Sequence, residues 1–218
     1  MPHDKHPPAR GRPRTITHER IADAGIALGL PNITFIGIAA VLGVSHMALY
    51  KRIGSLEELK HLVAEEIFNR WDIPRADGDT RLGLKEYLIA FTASVREFVK
   101  AHPGLTPYVI RRAAATQPML DKIDEHQRHI ARAYGIPKAR ARWLLATVAF
   151  HCIAVADTVY SVAGREPAST TERAAEEAEM EVEFLEGMHA LIVGALAMLE
   201  EPAPRKARNA KGIQLQKQ

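Results

Sequence analysis

Ser45, His46, Met47, Ala48, Tyr50 and Lys51 stand within one short segment of helical pattern, and their types suit contact with a nucleic acid. An imidazole at a helix start can reach a base edge, and the small or apolar side chains of Ala48 and Met47 fit against a thymine methyl. The Tyr50 hydroxyl and Lys51 ammonium can donate to phosphate oxygens. Plainer roles exist for each: His46 as a solvated helix-start residue, Tyr50 as a core aromatic. The Arg52 that follows Tyr50 and Lys51 favours the phosphate role for Tyr50. A second cluster, His126 and His129 at i, i+3 with Asp121 and Glu125 nearby, has a spacing that can hold a metal, although a polar helix face without cysteine is more often only that. His151, Cys152 and Asp157 interrupt an apolar helix, where each polar group needs a partner, either a ligand or another side chain. Tyr87, Phe91, Tyr108, Trp143 and Phe150 read first as core residues, some of which would line a cavity.

Several classes of function lack any support. The chain has no Gly-rich phosphate loop, no Gly-x-Ser-x-Gly elbow and no His-Glu-x-x-His helix, so an enzyme is not expected, nor is a cofactor. A single cysteine, Cys152, cannot form an intrachain disulfide, and no apolar stretch follows Met1, so a reducing cytoplasm is the expected location. The longest apolar run, Trp143 to Val155, falls short of the ~20 residues of a membrane span and reads as a buried helix. Charge is unevenly placed. Residues 1–60 hold eight Lys and Arg against five Asp and Glu, residues 201–218 five against one, and the acidic surplus lies between. A basic head on an acidic trunk suggests a polyanion-binding part and a ligand-binding or partner-binding part.

The elements that would position these residues are all helical. Residues 1–14 carry Pro2, Pro7, Pro8, Pro13 and Gly11 and are expected to be a disordered basic arm. Thr17 caps a first helix, with Ile16 and Ile21 as a hydrophobic staple, and Gly29-Leu30-Pro31 ends it. Thr34 caps a second, in which Phe35, Ile38, Ala39 and Leu42 share a face and Gly43 supplies the left-handed end. Ser45 caps a third, expected from His46 to Ile53. Ser55 and Glu58 form a capping box for a fourth that runs to Trp71. The turn-rich stretch Asp72 to Thr80 reads as a seam, so the chain divides into residues 15–71 and 81–200, followed by a disordered tail at 201–218. Further helices are expected from Arg81 to Ala101, near Leu105 to Ala115, from Pro118 to Tyr134, from Pro137 to Val162 and from Thr171 to Leu199. No segment alternates with period two, so the fold class is all-α with about nine helices.

Helix, Gly-containing turn and short helix is the geometry in which one helix crosses a DNA backbone and the next enters the major groove. With Thr34, Phe35, Ile38, Ala39, Leu42, Gly43, Val44, Ser45, Leu49 and Tyr50 in order, then the capped fourth helix, residues 15–70 resemble the TetR family of bacterial transcriptional regulators. The trunk is similar in length, helix number and the closing Phe184-Leu185-Glu186-Gly187-Met188. The resemblance implies a helix-turn-helix DNA-binding domain and a helical effector-binding and dimerisation domain. It further implies a homodimer on a palindromic operator, a repressor released by a small molecule. Arg12, Arg14, Thr34, Ser45, His46, Met47, Ala48, Tyr50 and Lys51 are then the expected DNA contacts, and Tyr87, Phe91, Tyr108, Trp143, Phe150 and His151 the expected effector contacts. Gly11 to Arg14 is similar to the core of minor-groove AT-hooks. Ile36, Gly37 and Leu56 depart from the family, which has polar or basic side chains there. A helical adaptor that binds protein, and a regulator that senses a metal through His126 and His129, are the competing readings. The last two long helices, through Leu185, Met188, Leu191, Ile192 and Leu196, are the expected dimer contact.

Overall fold

The computed structural model describes residues 16–76, 83–162 and 170–200, all of them helix or connection, with no strand among them. Arg12 and Arg14, the tail and part of the seam lie outside the described residues. Nine α-helices are present among those described: α1 His18–Leu28, α2 Phe35–Leu42, α3 His46–Tyr50, α4 Leu56–Arg70, α5 Leu84–Ala101, α6 Thr106–Val109, α7 Gln117–Ala133, α8 Lys138–Val162 and α9 Thr170–Glu200. The first four helices start where their caps predict. The side-chain oxygens of Thr17, Thr34, Ser45 and Ser55 accept from the backbone N–H three residues on, at 3.3, 2.9, 3.2 and 3.0 Å. Each satisfies a donor that the first helical turn leaves free. Glu58 completes its box with a shift of one residue, accepting from Gly54 N–H at 3.0 Å rather than from Ser55.

Three helices are shorter than their sequence patterns suggest, the fifth opening at Leu84 rather than Arg81, with Gly83 as its cap. The third stops at Tyr50 instead of Ile53, because Lys51 and Arg52 form a turn that carries Ile53 back into the core, where it is 1% exposed. The expected helix over Leu105 to Ala115 is helical only from Thr106 to Val109.

The head is built around α4. Its apolar side, with Leu59, Val63, Ala64, Ile67 and Phe68, meets α1 and the connection that precedes α2. Gly25 of α1 sits where a Cβ would lie 2.3 Å from Val63 Cγ2, so only glycine permits this crossing of α1 and α4. Arg70 at the end of α4 reaches Asp23 of α1 at 2.6 Å and Glu66 at 2.7 Å. The head's core does not end at the seam. Phe98 of α5, Leu105, Tyr108 of α6 and Met119 of α7 belong to the same apolar cluster as Leu59 and Phe68, and Trp71 packs against both that cluster and the trunk's.

In the trunk, α5 and α8 pack together, α9 lies against both, and α7 covers α8 from the other side. Inward-facing side chains include Leu88, Phe91 and Val95 of α5, Leu144, Val148, Cys152 and Ala156 of α8, and Phe184, Met188 and Ile192 of α9. Polar ties hold α9 in place: the Arg96 guanidinium meets Glu181, whose second oxygen accepts from the Tyr160 hydroxyl at 2.7 Å, and Arg140 donates to the Met198 and Leu199 carbonyls.

Two stretches, Lys138–Tyr160 and Ala175–Leu199, are long and apolar enough to cross a membrane, which the shorter run expected from sequence was not. In α8 Leu144, Leu145, Val148, Cys152, Ala156 and Val159 fill the core, while Phe150 and Val155 are exposed. In α9 the apolar residues divide between two faces. Met188 and Ile192, expected at a dimer contact, are 6% and 1% exposed inside the chain's own core, and Leu191 and Leu196 are partly buried. Leu185 alone of that group faces outward, beside Val182 and Val193.

Candidate nucleic-acid interface and trunk cavity

Gly43, at φ 67° and ψ 36°, ends α2 in the left-handed conformation. Its N–H bonds the Ala40 carbonyl at 3.2 Å and the Val44 N–H bonds Ala39 at 3.0 Å, the paired bonds of a Schellman ending. The turn fixes the angle between α2 and α3. Leu49, fully buried, and Ile53 are the anchors that seat α3 on the head. Everything else on α3 faces outward: Ser45, His46, Met47, Ala48 and Tyr50 are exposed, and so are Lys51 and Arg52 after it. Tyr50 lies with its ring 5.2 Å from that of Phe35 and about half exposed, so the ring is braced against α2 while the hydroxyl points to solvent. Thr34 is exposed at the start of α2, its oxygen already accepting from Gly37. The structure therefore brings seven of the nine expected DNA contacts onto one outer surface, the other two, Arg12 and Arg14, being outside the described residues. Ile36 and Val41 add exposed apolar area on α2, with Ile36 73% exposed where a polar group was expected from the family.

A cavity of about 320 Å³ opens between the head and the trunk. Phe68 of α4 and Trp71 beyond it form one side, Phe91, Val95 and Phe98 of α5 another, and Leu145, Ala149, Phe150 and Ile153 of α8 a third, with Ile123, His126 and Gln127 of α7 closing it. Of the six expected effector contacts, Phe91 and Phe150 line this space. Tyr108 does not: it is buried in the head's core, its ring 4.9 Å from that of His61. Trp143 packs at the edge of the trunk core. His151 is exposed and its Nδ1 lies 2.7 Å from the Thr147 carbonyl of its own helix. Helical position alone could not tell which side of α8 would meet the gap. Cys152 is part of the core, its thiol donating to the Thr92 carbonyl and pushed up to about 12 by burial, which leaves it unreactive.

Tyr87 stands one layer behind the cavity and meets it through His126. The Tyr87 hydroxyl lies 2.8 Å from His126 Nε2 and 3.1 Å from the Pro74 carbonyl, so a neutral His126 with its proton on Nε2 completes a chain in which each group donates to the next. This corrects the reading of His126 as part of an exposed metal-holding face: the imidazole is inward, stacked on Phe91 at 5.7 Å. Burial, with the nearby His129 and Arg75 charges, lowers its pKa to about 4. Because the folded value lies below that of a free imidazole, protons favour the unfolded chain. This stability is complete above about pH 6.5 and is lost as pH falls toward 4, amounting to on the order of 3 kcal/mol. Urea unfolding across that range should show the slope, and His126→Gln should remove its share; equal slopes in both chains would assign the loss to other groups.

Lys122 of α7 performs a structural task that no sequence pattern announced. Its ammonium donates to the carbonyls of Phe68 at 3.1 Å, Asn69 at 2.7 Å and Trp71 at 2.5 Å at the end of α4, the Phe68 carbonyl also accepting from the Trp71 N–H at 3.2 Å. The residue that closes α4 is thus contributed by the trunk.

No family model matches the chain, and no curated protein matches it in sequence. Solved structures do share its fold. A variant of TetR from Acinetobacter baumannii, in complex with minocycline, is 19% identical with a TM-score of 0.66 over 86% of this chain and all of that one. ActR from Streptomyces coelicolor, in complex with actinorhodin, is 21% identical with a TM-score of 0.60 and the same coverage. SCO7222, a TetR from the same organism, is 19% identical at 0.56. The chain has the all-helical fold of TetR-type regulators, a helix-turn-helix head and a helical trunk.

Proposed function

We propose that this chain is a cytoplasmic, homodimeric DNA-binding regulator, a repressor that leaves a palindromic operator when a small molecule fills the trunk cavity. The observation that carries this reading is the outer surface of α3: a helix too short to serve as a packing element, held by Leu49 and Ile53, that presents His46, Met47, Ala48, Tyr50 and Lys51 to solvent. Such a helix suits insertion into a major groove, with its N-terminal residues at base edges and Tyr50 and Lys51 at phosphates. Arg12 and Arg14 would add contacts in the neighbouring minor groove. A protein adaptor would have less use for the run of exposed Tyr50, Lys51 and Arg52.

The cavity supports the effector half of the proposal by its position. Phe68 and Trp71 are part of its wall and also of the end of α4, and α4 is the helix on which α1 and hence α2 and α3 rest. A ligand that fits better when α4 is displaced shifts the head away from the DNA-bound arrangement, and a hundred-fold loss of operator affinity requires only ~2.7 kcal/mol of such coupling. The solved TetR and ActR structures hold minocycline and actinorhodin, and a small molecule is proposed here in the same sense.

The test separates positioning from reading. Tyr50→Phe keeps the ring on Phe35 and removes the hydroxyl, so binding should weaken by about 1–2 kcal/mol on operator and scrambled duplexes alike. His46→Ala should instead relax preference at one base pair in each half-site, with ~1–3 kcal/mol of discrimination lost. Affinities are measured on single-substitution duplexes at fixed salt, the parent sequence having been selected from genomic fragments. A base preference altered by Tyr50→Phe and untouched by His46→Ala would refute this placement of α3.

A further inference from the structure

The cavity wall specifies more than apolar character. Phe98, Trp71, Phe91 and His126 form a continuous row of rings with neighbouring planes 14°, 29° and 22° apart and centroids 4.5, 6.4 and 5.7 Å apart, and all four line the space. A wall of rings favours an aromatic occupant, which can stack on it offset or meet it edge to face, over a branched aliphatic one.

Gln127 is 8% exposed and lines the same space, yet among the described residues its amide makes no hydrogen bond. Gln127 borders the cavity, and no group among the described residues competes with a ligand for its amide. The amide offers both a donor and an acceptor.

Charge in the wall is one-sided. Arg112 and Arg142 both line the cavity, and neither has an ion pair among the described residues. Asp124, the carboxylate in the wall, is engaged by Arg128 at 3.0 Å and Lys138 at 2.8 Å. Two arginines therefore border the opening with no ion pair of their own among the described residues, and a guanidinium pairs with a planar carboxylate through two parallel hydrogen bonds.

We propose that the effector is a planar aromatic acid, its rings on the Trp71 and Phe91 wall, a polar substituent on Gln127 and its carboxylate toward Arg112 and Arg142. The proposal rests on the reading of the cavity as an effector site. Calorimetric titration of the full chain with 2-naphthoate, anthracene-2-carboxylate and the matching carboxamides should give at least tenfold tighter binding of each acid than of its amide. Replacing Arg112 and Arg142, both exposed, with Gln should erase that preference, and Gln127→Leu should remove the gain in affinity that 6-hydroxy-2-naphthoate shows over 2-naphthoate. Equal affinity for acid and amide, no binding of either, or a preference that survives the double arginine replacement would overturn it. Binding to selected duplexes is followed in parallel by fluorescence anisotropy. A chain that binds DNA but no acid refutes only the ligand class, whereas a chain that binds no duplex refutes the regulator itself.

Discussion

A chain carrying both Leu185→Glu and Val193→Glu is expected to be a folded monomer at micromolar concentration and to bind a two-half-site operator on the order of 10²–10⁴-fold more weakly than the parent. Val182, Leu185, His189 and Val193 follow one another at intervals of three, four and four residues, which places them on one strip of α9. The strip is exposed, with Val182 at 55%, Leu185 at 48% and Val193 at 47%, while the opposite face of α9 is occupied by the chain's own core. An apolar strip of this kind on a long helix is suited to pairing with its copy, and two helices from each chain would complete a four-helix bundle. Two glutamates per chain would be brought together across the two-fold axis, so each substitution acts twice. The loss of operator binding follows from multivalency: two joined heads bind a palindrome with avidity that exceeds a single head by roughly 10²–10⁴. Since neither side chain touches the trunk core, the circular dichroism spectrum should not change. A dimer persisting in light scattering would place the interface elsewhere.

Lys122→Met should cost about 2–4 kcal/mol of stability and also loosen the link between cavity and head. Methionine keeps much of the apolar stem but loses the ammonium that stands 5.9 Å over the Phe68 ring and offers no donor to the three carbonyls at the end of α4. Hydrogen bonds from a charged donor contribute about 1.5–3 kcal/mol net, and the Trp71 carbonyl, left part-buried without its donor, adds to the loss. Burial lowers the pKa of Lys122, so the ammonium gives up part of its hydration where it meets these carbonyls. The last turn of α4 and Trp71 would then fray, and both Phe68 and Trp71 belong to the cavity wall. Urea unfolding gives the first quantity. The second is the change in operator affinity produced by a saturating effector, which should shrink in the variant. A variant as stable as the parent would remove Lys122 from the closure of α4.

How much of this was legible in the sequence differs by the range of the interaction. Helix starts at Thr17, Thr34, Ser45 and Ser55, and the left-handed end at Gly43, are set by hydrogen bonds spanning three to five residues, so residue type and spacing were enough to place them. The outward face of α3 followed for the same reason: a helix of five residues with a single fully buried apolar position, Leu49, has little choice about what it exposes. Longer helices keep more freedom. An apolar pattern on α9 announced that something would cover it, but Met188 and Ile192 went to the chain's own core and Leu185 and Val193 outward, a division decided by where α5 and α8 stand. His126 carried no local sign that it would turn inward, because its partner Tyr87, whose hydroxyl donates in turn to Pro74, is brought to it by the packing of the trunk helices. The cavity is the extreme case. Phe68, Phe91, Gln127 and Phe150 come from four helices, and only the distances between those helices decide which side chains border empty space and which, like Tyr108 and Trp143, are spent on packing.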